Sequence, residues 1–123
     1  MSKKIIFTED APAAIGPYSQ AVLVGNVLYV SGQIALVVFE AGGSVEDETL
    51  QVMKNLEAIL KAAGATFDQV VKCSIFLQNM SDFAVVNQIY GQFFAVNPPA
   101  RETVQVACLP KNVRVEISCI AHL

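Results

Sequence analysis

The chain has 123 residues, 54% of them hydrophobic and 15% charged, with 8 Lys and Arg against 11 Asp and Glu and a formal net charge of -3. That length suits one domain, residues 1–123, whose single core buries about two-thirds of the unfolded surface. The acidic balance, with a sequence pI near 5.0, supplies no field for phosphate backbones and disfavours nucleic acid as a partner, and no apolar run approaches the ~18 residues that span a bilayer.

In chain order, MSKKIIFTEDAP carries Lys3 and Lys4 but no signal-like apolar stretch, so the expected compartment is cytoplasmic. Ser19 to Gly32, SQAVLVGNVLYVSG, reads as two strands around Gly25-Asn26, a dipeptide that favours a tight hairpin. Gly42-Gly43 reads as part of a loop. From Ser44, SVEDETLQVMKNLEAILKAAG places Leu50, Met53, Leu56, Ile59, Leu60 and Ala63 on one stripe at helical spacing. Ser44 caps that helix, acidic residues fill its first turn, and Gly64 closes it. Val70 to Gln78, β-branched and aromatic, is a strand. SDFAVVNQIYGQFF is a second helix, capped by Ser81, with Phe83, Val86, Tyr90, Phe93 and Phe94 at spacings of three and four until Asn97-Pro98-Pro99 stops it. Thr103 to Leu109 and Val113 to Ile120 are the last two strands, and their short connection suggests a hairpin.

The order β-β-α-β-α-β-β describes an α/β (α+β) sandwich, a sheet with two helices packed on one face. Mean hydropathy is +0.49, apolar for a monomer of this size, so another subunit is the natural cover for the second face.

The three cysteines, Cys73, Cys108 and Cys119, stand in apolar strand-like contexts and read as buried thiols in a reducing compartment. The one histidine, His122, is next to the C-terminus, where a Ser-His or Cys-His pair would rest on a frayed tail. The clustered ligands of a zinc site, a P-loop and a dinucleotide glycine motif are all missing, so neither metal nor cofactor is expected. What remains are polar residues that interrupt apolar segments. Arg101 follows the Asn97-Pro98-Pro99-Ala100 elbow, whose prolines fix φ and give it a stiff mounting; taken alone, it reads as a solvated charge. Alternation in VRVEISCIA places Glu116 opposite Val115, Ile117 and Cys119 and beside Arg114 and Ser118; taken alone, it too reads first as a solvated residue. Tyr18 follows the Gly16-Pro17 turn. Ser31-Gly32 ends a strand with small residues, where backbone can approach a ligand.

Taken together, AAIGPYSQAV (Ala13 to Val22), LYVSGQI (Leu28 to Ile34), DFAVVNQIYGQFF (Asp82 to Phe94), PPARETVQVACLPK (Pro98 to Lys111) and VEISCIA (Val115 to Ala121) resemble the RidA/YjgF family, also labelled L-PSP endoribonuclease or translation inhibitor. The resemblance covers nearly the whole chain in order. It implies a chorismate-mutase-like domain with a mixed sheet, whose order sets another strand between the last two, and a homotrimer with sites in the clefts between subunits. It also implies hydrolytic deamination of reactive 2-enamine and 2-imine acids, such as 2-aminoacrylate and 2-iminobutyrate, to 2-keto acids and ammonia. Carried over by position, Arg101 clamps the substrate carboxylate and Glu116 orients or deprotonates the attacking water. Tyr18 hydrogen-bonds near the reacting centre, and the backbone at Ser31, Gly32 and Thr103 completes the lining. An iminium carbon is already electrophilic, so orientation and modest base assistance suffice without metal.

The chain departs from the family pattern at two places. Thr103 stands where many relatives carry Cys, and Ile34 to Glu48 lacks the usual DP-x-TG turn in a segment that rims the cleft. The alternatives are a non-catalytic 2-keto-acid binder or sensor, using the same Arg101, and an endoribonuclease or translation inhibitor.

Overall fold

The computed structural model describes residues 2–123. Among them the strands are Lys3–Ile6 (β1), Ala21–Val24 (β2), Val27–Gln33 (β3), Val70–Leu77 (β4), Ala100–Gln105 (β5) and Val115–His122 (β6). The α-helices are Leu36–Glu40 (α1), Val45–Ala62 (α2) and Phe83–Gly91 (α3). The strands form one mixed sheet in the order β1-β2-β3-β6-β4-β5, in which only the β4–β5 pair is parallel.

The β2–β3 hairpin turns at Gly25-Asn26 as expected, with Gly25 at φ +58, a conformation a side chain would resist. Helix α2 also follows its sequence signals: the Ser44 hydroxyl accepts from the Asp47 N–H at 3.1 Å, and Glu46, Asp47 and Glu48 occupy the first turn. Of the expected stripe, Met53, Leu56, Ile59 and Leu60 are completely buried, Leu50 and Ala63 are only half-buried, and Val52 is buried in addition, at about 1.5–3 kcal/mol for each large buried side chain. Strand β4 alternates Cys73, Ile75 and Leu77 into that core with Lys72, Ser74 and Phe76 on the opposite side.

Several expectations are corrected. Lys3–Ile6 is an edge strand, its paired lysines masking the signal of Ile5 and Ile6 while protecting the edge. Leu36–Glu40, to which the sequence pattern assigns no element, makes a short helix. The second helix is capped not by Ser81: the Asn79 side chain accepts from the Ser81 N–H at 2.9 Å and opens a 3-10 turn before α3. Phe93 and Phe94 lie beyond α3, held by tertiary packing against Phe67, with ring centroids 5.3 and 5.1 Å away. The fifth strand is Ala100–Gln105 instead of Thr103 to Leu109, beginning directly after Pro99, and the sixth is Val115–His122. His122 is therefore no frayed tail but ends β6 opposite Val27.

The hairpin suggested by the short connection between the last two strands does not form. Strand β4 lies between β5 and β6, as the family order implies. Cys108, expected to be buried, is exposed, because its strand stops at Gln105; Cys73 and Cys119 are buried.

Helices α2 and α3 cover one sheet face. On the other, Tyr29 and Ile5 remain 50% and 53% exposed.

Candidate active site

The candidate residues fall into two clusters. In the first, Glu116 sits on the open face, in a cross-strand row with Phe76 of β4 and Val104 of β5. Between Val30 and Gln33 the β3–β6 ladder shifts register, so the strand bulges at Ser31-Gly32 beside Glu116. A Cβ added at Gly32 would collide with Glu116 Oε2 and lie 2.7 Å from its Cδ. Only glycine leaves room for the carboxylate there. Half-burial raises the Glu116 pKa above its ordinary value.

Tyr18 is tied to the Ser31 bulge through the chain that follows it, Ser19 and Gln20. The Ser31 hydroxyl donates to the Ser19 carbonyl at 2.6 Å, and the Ser31 N–H donates to the Gln20 carbonyl at 2.9 Å. The buried Gln20 amide in turn bonds Thr8, Ala11 and Pro12, fixing the whole approach to Tyr18. The Tyr18 ring is 54% exposed, and its hydroxyl accepts from the Ile15 N–H at 3.4 Å. It is presented outward and not packed.

The second cluster surrounds Arg101. Asn97, at φ +49, and the two prolines deliver the chain into β5, where Arg101 is in register with Cys73. Its guanidinium donates to Asn87 Oδ1 at 2.6 Å and stacks on Tyr90 and Phe83 at 5.0 and 5.6 Å from the ring centroids. A cleft of about 370 Å³ opens here, lined by Asn87, Tyr90, Gly91, Phe94, Pro98, Pro99 and Arg101. Thr103, two residues along the same side of β5, has a buried hydroxyl oxygen without a hydrogen-bond partner. Burial pushes the Cys73 and Cys119 thiols up, against thiolate formation.

Asn87, Phe83 and Tyr90 were not among the residues expected to serve the site. Phe83 and Tyr90 read as core from their spacing; the signal that they share a task is Asn87 between them, four and three residues away on one helical face.

The two clusters do not meet within one chain. Arg101, Cys73 and Cys119 form a row on the helix-covered face, whereas Val104, Phe76 and Glu116 form a row on the open face. A larger cleft of about 560 Å³ between α2 and the segment around Phe67 touches none of the candidate residues. Among the described residues, no group of three or more His, Cys, Asp and Glu side chains could hold a metal ion, and no helix is long and apolar enough to cross a membrane.

Comparison with known proteins gives this arrangement a context. The profile of the family described as Endoribonuclease L-PSP matches residues 8–123. Reactive Intermediate Deaminase A, chloroplastic, of Arabidopsis thaliana is 49% identical over 127 residues, covering 100% of this chain and 67% of the relative. The Homo sapiens 2-iminobutanoate/2-iminopropanoate deaminase is 48% identical over 122 residues, covering 97% of this chain and 89% of the relative. The crystal structure of E. coli TdcF with bound serine matches with a TM-score of 0.90 at 41% identity, covering 98% of each chain. By its sequence over nearly its whole length, and by a fold shared with that structure, the chain belongs to the Endoribonuclease L-PSP family.

Proposed function

We propose that the protein hydrolyses reactive 2-imine and 2-enamine acids to 2-keto acids and ammonia, in a cytoplasmic setting that suits its three free thiols. The observation that carries this reading is the Glu116 carboxylate, half-buried and resting over Gly32, where an added side chain would displace it. Such a group is a base awaiting a small substrate and water. Arg101 takes the substrate carboxylate through paired N–H donors. Glu116 removes a proton from water as its oxygen adds to the imine carbon; the resulting carbinolamine collapses with its nitrogen protonated, releasing ammonia and leaving the keto acid. Tyr18 and the backbone at Ser31, Gly32 and Thr103 orient the reacting atoms. The relatives named as deaminases support this chemistry, and the net charge of -3 speaks against a polyanionic substrate. The test is ammonia release from 2-iminobutyrate generated in place by a threonine dehydratase, with and without the protein. An unchanged rate rejects catalysis and leaves a 2-keto-acid binder.

Because Arg101 and Glu116 lie on opposite sheet faces, the site is completed by a second copy, and the assembly proposed is a homotrimer. Sedimentation equilibrium is expected to report about three times the 13.2 kDa chain mass. A monomer that retains full turnover would overturn the shared site.

Replacing Gly32 by Ala tests the placement of Glu116. The added methyl collides with the far end of a flexible side chain, so the fold should survive while the carboxylate moves. Activity should fall by about 10²-fold, since ångström misplacements cost that much, with circular dichroism unchanged. Full activity in Gly32→Ala would show that the carboxylate does not work from that position.

A further inference from the structure

Glu48, in the first turn of α2, is an acid with no exposed surface. Its Oε2 accepts from the backbone N–H groups of Arg114 at 2.7 Å and Val115 at 3.2 Å, and its Oε1 accepts from Arg114 Nε at 2.7 Å. Consecutive N–H groups of a regular strand point to opposite sides. Here both converge on one oxygen, so the carboxylate marks the point at which the β6 ladder begins. The Arg114 guanidinium also donates to the Gly43 carbonyl and lies over the Phe39 ring at 5.3 Å. Gly43 is itself obligatory: a Cβ there would stand 2.6 Å from Val38 Cγ1 and 2.9 Å from the Val38 carbonyl oxygen. The segment Ile34 to Glu48, which departs from the family pattern, thus folds around one ion pair at the root of β6.

Stability does not account for such a pair. Burying the Glu48 carboxylate costs about as much as its attraction to the partly exposed Arg114 returns, and apolar side chains of equal volume often serve as well. What the carboxylate provides, and an apolar group cannot, is a fixed acceptor for two amides that lie one and two residues before Glu116. We infer that Glu48 is a positioning residue, setting where β6 starts and thereby where the Glu116 carboxylate rests over Gly32. It touches no substrate. The inference rests on the role proposed for Glu116 and adds to it a residue more than sixty positions away in sequence.

The test separates reach from charge. Glu48→Asp keeps the charge but withdraws the acceptor by one methylene, and Glu48→Gln keeps the reach without the charge. Both are compared with Glu116→Gln for kcat and KM on 2-iminobutyrate, for calorimetric affinity toward 2-ketobutyrate, and for hydrogen exchange at the Arg114 and Val115 amides. Glu48→Asp is expected to lose about tenfold in kcat, with faster exchange at both amides, while its affinity for 2-ketobutyrate, which Arg101 sets, stays within about twofold. Glu48→Gln should hold kcat within about threefold. Wild-type kcat in Glu48→Asp, an equal loss in both variants, or a parallel fall of kcat and affinity would each overturn the positioning role. If Glu116→Gln itself keeps full activity, the reading of the site fails; if Glu116→Gln is impaired and Glu48→Asp is not, only this inference fails.

Discussion

Arg101→Lys and Arg101→Ala are both expected to lose imine hydrolysis and 2-keto-acid binding together, with no change in fold. The side chain is exposed at the sheet edge and only covers the outer side of the Tyr90 and Phe83 rings, so circular dichroism should stay at wild-type values. The contribution proposed for it goes to the ligand. Asn87 fixes one guanidinium nitrogen at 2.6 Å, and the Tyr90 and Phe83 rings support the plane. The remaining donors are thereby aimed as a rigid fork. Lysine supplies the charge but neither the plane that stacks on two rings nor the paired donors that span a carboxylate. Removing one partner of a desolvated charge pair costs ~2 to 5 kcal/mol of binding, and turnover should fall by at least that factor because the same contact orients the imine carbon. Titration calorimetry with 2-ketobutyrate, alongside the dehydratase-coupled rate, reads both quantities. A lysine variant with wild-type turnover would show that bidentate recognition is unnecessary.

Much of the scaffold was legible where a local rule and the tertiary fold agree. Ser44, the acidic first turn and the 3.6-residue stripe define α2 without reference to anything else. Alternation alone placed Glu116 on the face opposite Val115, Ile117 and Cys119, where the structure has it. Features that depend on long-range pairing were not legible. The link from Leu109 to Val113 looks like a hairpin, yet β4 lies between the strands it joins, because α3 carries the chain across so that β5 pairs parallel with β4. That Arg101 and Glu116 face opposite ways follows from register with Cys73 and Phe76, which no pattern within either strand reveals. Cys108 misled for a related reason: its neighbours are apolar, but the strand ends three residues before it. Glu48 escaped notice because an acid in a helix's first turn already has a sufficient local explanation. Its contact with Arg114 spans 66 residues.

Glu116→Gln should uncouple rate from binding. The proposed task of the carboxylate is to take a proton from water, which the amide cannot do, whereas size and hydrogen-bonding reach are nearly the same. Turnover should fall by ~10²-fold or more. Affinity for a 2-keto acid should stay level or rise slightly, since a negative charge facing the ligand's own carboxylate has been removed. The pH profile gives a second, independent sign. Burial disfavours the charged form and holds the folded-state pKa above the ordinary 4.5. The base is therefore lost as pH falls through that raised value, so wild-type kcat/KM should decline on the acid side above the usual carboxylate range, and the limb should vanish from the residual activity of Glu116→Gln. Stability runs the opposite way. A raised carboxylate pKa means that ionisation weakens the fold as pH rises, so the Gln variant should melt above wild type at neutral pH and level with it in acid below the carboxylate range. These results would identify a strained, half-dehydrated base. Should Glu116→Gln instead keep full activity and the same acid limb, Glu116 is only a strand residue beside Gly32, and water must be oriented by Tyr18 or by the backbone of Ser31 and Gly32.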